Sequence, residues 1–284
     1  MPLMMALSLS ASGQTGSVKT NLRPMLDRLA SEAAAYAKLA AQVSGQETLH
    51  QREMMKPQRK FKPRVGEAAT TRSTAPEWNE REIISLYAVT SAGGSLHEIR
   101  QVMFVDGRMV QDQQRAQHAL TTLLTASGDQ QKLASLKQIQ KDTLGGAVTD
   151  FGPLILLFAR GGAERYEFTS LGARQLGTVY ANGFHFKQLD GTEGLTLFSK
   201  QTQKLPIEGD LLVSEDPSGP IRITLSSTVP DSDPPVREEA TVDYARSSFG
   251  ALLPMQVEHV EYSGTEATSE HIFEYDNFQK LANR

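Results

Sequence analysis

The chain has 284 residues, 39% of them hydrophobic, a formal net charge of −4 and no cysteine. The mild acidity excludes a general nucleic-acid binder, which carries a strongly basic face. The missing cysteines exclude disulfides, thiolate metal sites and thiol catalysis, and no stretch reaches the roughly 20 apolar residues of a membrane-spanning helix.

Residues 1–16 open with an apolar run of Leu3, Met4, Met5, Ala6, Leu7 and Leu9, then the small residues Ala11 and Gly13. That is the outline of a secretory h-region and cleavage site, without the basic n-region. Residues 1–16 are therefore expected to be an export signal or a disordered start, and 17–284 a single domain. A helix is expected over 22–40, because Met25, Leu26, Leu29, Ala33, Tyr36 and Ala37 recur at helical spacing. Asn21 would cap it and Pro24 would sit in its first turn.

A strand around Gly45 is expected at 42–54. The loop 55–78 then gathers Lys56, Arg59, Lys60, Lys62 and Arg64 with no acid among them. Such a run can meet anionic lipid headgroups or an acidic partner, although charge runs are more often plain solvated loops. From residue 81 apolar residues alternate with polar ones in two long runs joined at Gly93-Gly94, and the Asp106-Gly107 turn leads to a third.

The period then changes. Residues 112–158 read as a helical insert: Ala116, Leu120, Leu123 and Leu124 mark one helix, and Leu133, Leu136 and Ile139 a second, capped by Asp129 and ended at Gly145-Gly146. DFGPLILLF at 150–158 suits a short buried helix with Asp150 as its cap. Beyond Gly161-Gly162, strands are expected at 164–170, 176–188, 194–201, 209–215, 220–228, 237–246, 252–262 and 267–278, separated by turns too short to hold helices. Such strands must pair as antiparallel hairpins. The fold class is α+β: one large curved antiparallel sheet, a half-open β-barrel, with the N-terminal helix and the insert packed on it.

Three local patterns carry a resemblance. They are Phe104–Gly107 closing a strand, Leu212–Arg222 as an acidic hairpin with Pro and Gly, and Val242–Pro254 as a strand, a turn and a new strand. Over about residues 22–280 the chain resembles the periplasmic lipoprotein-carrier superfamily, and more closely an uncharacterised family of exported bacterial proteins with this layout. The resemblance implies a half-barrel lined by apolar residues and plugged by helices. It also implies a place in the periplasm or cell envelope, lipid or lipoprotein as partner, and no cofactor.

Catalytic and metal signatures are sparse. None of the six histidines lies in HExxH, and G-x-S-x-G and phosphate-loop patterns are absent. His259 and Glu261 share a strand face and His271 can pair with them, a conceivable metal set, against the plainer expectation of a solvated outer face. Asp231 and Asp233 read as an acidic turn with too few ligands for calcium. The remaining candidates are Tyr166, Phe168, Tyr180, Phe184, Phe186, Phe198, Phe273 and Tyr275, expected on the concave face or against the helices. If a gap remains there, they line a lipid-shaped pocket; if helices fill it, they are core. Three functions stay open: an apolar-ligand carrier, a structural or protein-interaction module with a filled core, and a hydrolase with an unrecognised site.

Overall fold

The computed structural model describes residues 18–55, 76–126, 128–136, 139–144, 150–190, 196–198, 202–229 and 232–281. The strands are β1 (Val43–Met54), β2 (Trp78–Ala92), β3 (Ser95–Val105), β4 (Arg108–Met109), β5 (Tyr166–Leu176), β6 (Val179–Gln188), β7 (Thr196–Phe198), β8 (Thr202–Lys204), β9 (Glu208–Ser214), β10 (Ile221–Val229), β11 (Val236–Arg246), β12 (Leu252–Ser263) and β13 (Glu266–Lys280). Eleven of them form one open antiparallel sheet in the order β4-β3-β2-β1-β13-β12-β11-β10-β9-β6-β5, and β7 and β8 make a separate hairpin. Chain neighbours pair wherever a short turn allows. Two pairings join strands that are not chain neighbours: β6 with β9, past the β7–β8 hairpin, and mid-sheet the first strand with the last, Val43 opposite Lys280 and Leu49 opposite Phe273.

Alternation builds one covered face. In β10 the buried Ile221, Ile223 and Leu225 alternate with half-buried Arg222, Thr224 and Ser226, and opposite them Tyr244, Val242 and Ala240 of β11 continue the buried rows. The helix α1 (Val18–Ala40) lies across this face and touches β2, β5 and β12 together, which the concave side of a curved sheet permits. Its stripe of Met25, Leu29, Ala33, Tyr36 and Ala40 is buried. Arg28 holds it down by donating to the Ser214 carbonyl and, at 2.8 Å, to the Gly219 carbonyl, and Arg246 donates to Glu32 at 2.9 Å. Because α1 begins at Val18, Asn21 is not its cap and Pro24 lies inside it. A proline there forfeits one hydrogen bond, and the buried stripe begins just after it.

The insert is split between the two faces. The helices α2 (Gln113–Thr125) and α3 (Asp129–Leu136) cover the outer side of β2 and β3, where Ala88, Ile99 and Leu120 form a small second core. Of the described insert residues, Phe151 and the 3-10 segment Gly152–Phe158 join the core on the concave face. Asp112 caps α2. Asp129 is instead the first residue of α3, and its carboxylate accepts from Gly93 N at 2.9 Å. Asp150 does not cap the segment that follows it. Its two oxygens take the Glu98 N–H (3.0 Å) and the His97 ring (2.9 Å), which satisfies the otherwise bare edge of β3. Gly145-Gly146 lies outside the described residues.

Two strand boundaries differ from expectation. Gly172, at φ 73°, does not end β5 but sits in a bulge after Ser170, and the turn falls at Gly177, φ 59°. The run expected at 194–201 belongs to the β7–β8 hairpin.

Candidate functional site

The concave face is a groove with aromatic walls and an apolar occupant. Tyr166 and Phe168 on β5 and Phe186 on β6 surround Phe158 of the 3-10 segment, with ring centroids 5.7, 6.4 and 5.2 Å from it. Phe184 is buried beside them, and Phe273 and Tyr275 are buried further along on β13. Phe186 is seated so closely that a β-carbon on Gly209 of the next strand would fall 2.9 Å from its ring and 1.9 Å from the Thr224 carbonyl.

The 3-10 segment has one polar anchor at its centre. The Tyr244 hydroxyl donates to the Gly152 carbonyl at 2.8 Å and accepts from Ile155 N at 2.9 Å. Burial, opposed by the Ile155 hydrogen bond, holds this phenol well above its ordinary pKa. Otherwise the segment presents Leu154, Ile155 and Phe158 to the groove, all buried.

Under its leading end lies a buried charge network. Arg100 on β3 grips Glu47 on β1 at 2.8 and 2.9 Å and Glu98 at 3.0 Å, and Tyr87 donates to Glu98 at 2.8 Å. The guanidinium also lies 5.4 Å from the ring centre of Phe273. Burial pushes the Glu98 carboxyl up to about 7, against the pull of Arg100. For Arg100, burial alone would disfavour the charge, but the two carboxylates outweigh it and the pKa is raised.

A second polar group stands beside the first. His259 and His271 are direct cross-strand partners with rings 5.7 Å apart, and Phe151 lies 5.1 Å above His259. The expected solvated outer face is thus a covered inner one, because His259 follows Val257 and His271 precedes Phe273 on the buried parity. Glu261 joins neither ring; its carboxylate accepts from Thr268 at 3.1 Å. Among the described residues no group of three or more His, Cys, Asp or Glu is placed to hold a metal ion.

The sequence-expected residues are distributed as follows. Tyr166, Phe184, Phe186, Phe273 and Tyr275 are buried core, and Phe168 packs at its margin. Tyr180 is a correction: it is 74% exposed, because the β5–β6 hairpin runs past the elements that cover the sheet. Phe198 ends β7, and its side chain lies outside the described residues, as do Lys56, Arg59, Lys60, Lys62 and Arg64. His97 pairs with Asp150 and His185 with Asp210 at 2.9 and 2.8 Å. None of the described helices is long and apolar enough to cross a membrane.

No family model matches the chain, and no curated protein matches it. Among solved structures it is similar to a putative outer membrane lipoprotein-sorting protein domain from Vibrio parahaemolyticus, at 7% identity and TM-score 0.37, covering 91% of this chain and 93% of that one. It is also similar to a DUF1329 family protein from Desulfovibrio piger, at 7% identity and TM-score 0.34, covering 91% and 94%. A LolA superfamily protein from Nitrosomonas europaea aligns at 11% identity and TM-score 0.28, covering 90% and 94%.

Proposed function

We propose that the protein is a non-enzymatic carrier of an apolar ligand, a lipid or lipoprotein acyl chain, exported to the bacterial periplasm or cell envelope. One observation carries this reading. A short apolar stretch of the chain's own, Gly152–Phe158, lies in an aromatic-walled groove of an open sheet, where an acyl chain would find equivalent contacts. Withdrawal of that segment would let a ligand pack against Tyr166, Phe168, Phe184, Phe186, Phe273 and Tyr275.

Burial of an acyl chain is worth about 0.8 kcal/mol per methylene. Here apolar ligand would replace apolar segment, so the net gain is small and exchange stays reversible. Lys56, Arg59, Lys60, Lys62 and Arg64 would orient the protein on anionic surfaces. Native mass spectrometry of residues 17–284 recovered from a bacterial envelope fraction tests the reading. A stoichiometric lipid removed by organic extraction supports it, and a bare chain that takes up no lipid on incubation defeats it.

A second reading has its own observation. Among the described residues β5 is an edge strand of eleven residues with one side unpaired in the sheet, which suits a module that accepts a partner's strand. A bare mass together with a captured extended peptide would favour it.

A further inference from the structure

The apolar-ligand reading leaves a row of polar side chains unused. Gln51 on β1 stands opposite His271 on β13, which stands opposite His259 on β12. They are 1%, 3% and 9% exposed. Yet among the described residues Gln51 Nε2, His271 Nδ1 and both ring nitrogens of His259 have no hydrogen-bond partner. Buried polar atoms are nearly always paired. Four orphans in one row across three neighbouring strands therefore point to an absent partner.

The row shares its cover with the groove. Phe151, whose ring lies over His259, immediately precedes the 3-10 segment. The Gln51 carbonyl oxygen is already used, accepting from Leu144 N at 2.9 Å, so its amide can only donate. Burial and the neighbouring His259 hold His271 neutral, with its pKa lowered to about 4. The charges at the ends of the row are engaged. Arg81, opposite Gln51, is ion-paired with Asp106 at 3.5 Å and donates to the Asp142 carbonyl, although its Nε has no hydrogen-bond partner among the described residues, and Glu238 approaches His259 at 3.8 Å. The row thus offers N–H donors without surplus positive charge.

We propose that Gln51, His271 and His259 bind the neutral polar end of the carried ligand, the carbonyl oxygen of an ester or amide on its acyl chain. This rests on the carrier reading. Motion of Phe151 with the 3-10 segment opens the groove and the row together, so the acyl chain and its carbonyl enter as one unit. An ester oxygen accepts from the Gln51 amide and from an imidazole N–H. A carboxylate or phosphate finds no unpaired cation there among the described residues.

Three pyrene probes of matched chain length test this by fluorescence on the full chain: 1-dodecylpyrene, pyrenedodecanoic acid and its methyl ester. The native chain should hold the ester about tenfold more tightly than the hydrocarbon, and more tightly than the free acid. His271→Phe and Gln51→Leu should each bring the ester-to-hydrocarbon ratio close to one, with folding checked by thermal melting. His259→Phe serves if either variant fails to fold. Equal binding of ester and hydrocarbon by the native chain, a preference for the acid, or a ratio unchanged in the folded variants overturns the inference and leaves the carrier reading standing. Binding of none of the probes removes both.

Discussion

Gly152 rests directly on the carboxylate of Glu98: a β-carbon at 152 would lie 2.1 Å from Glu98 Oε1 and 3.1 Å from the Tyr87 hydroxyl. Both neighbours are locked in the buried network, so neither can give way. Gly152→Ala should push the 3-10 segment off the groove. The expected result is a loss of about 1–3 kcal/mol in urea unfolding together with greater uptake of a pyrene-labelled acyl chain. Reduced uptake at the same stability loss would contradict a displaceable segment.

The Tyr244 hydroxyl also holds that segment, through Gly152 O and Ile155 N. Tyr244→Phe strands both backbone groups in a buried setting and should cost about 2 kcal/mol. Amide hydrogen exchange at Ile155 should quicken more than at Val242, in the same strand as Tyr244. Uniform quickening would mean that the tyrosine holds the whole sheet rather than the segment.

Arg100 sits between two carboxylates with its side chain 1% exposed. Removing one member of such a group leaves uncompensated buried charge. Arg100→Met should therefore destabilise by about 3–5 kcal/mol. Adding Glu47→Gln and Glu98→Gln to Arg100→Met should recover part of that loss. Equilibrium denaturation of the single and triple variants measures both, and a triple variant weaker than the single one would refute the charge argument.

Two buried groups drive stability in opposite directions with pH. Glu98 is raised from 4.5 to about 7. The folded state therefore binds the extra proton, and stability from this group is full below pH 4.5 and lost as pH rises through 7. His271 is lowered from 6.5 to about 4. Its contribution is present above pH 6.5 and lost as pH falls through 4. The two nearly cancel between about pH 4.5 and 6.5. Glu98→Gln should expose a rise in melting temperature with pH over that window, and His271→Phe a fall. The same slope in both variants and the native chain would exclude these groups as the source.

Much of the fold is legible in the sequence. The alternation of Ile221, Ile223 and Leu225, the Asp106-Gly107 turn and the apolar run at 152–158 each announce their local structure and their burial. The polar interior is not legible, for a specific reason. At the centre of β3 both faces are covered: Ile99 meets α2, while Glu98 and Arg100 turn to the concave side. A reading that assigns the apolar parity to the main core therefore points those charges outward. His259 and His271 carried a usable signal, since they share parity with Val257 and Phe273. The placement of the 3-10 segment under Tyr244 depends on a contact between positions 89 residues apart in the chain, which no local pattern encodes.

The pairing of β1 with β13 joins residue 43 to residue 280. The middle of the sheet thus joins the first and the last of the described strands. During synthesis, β1–β3 and β5–β12 can form as two separate hairpin stacks, each with a raw flank where β13 belongs. Joining them closes a very long loop, the kind of contact that slows folding. Until β13 emerges, the groove has no continuous floor and both stacks are open to strand exchange with other chains. The flanks left bare in the two stacks are the ones that become the centre of the sheet.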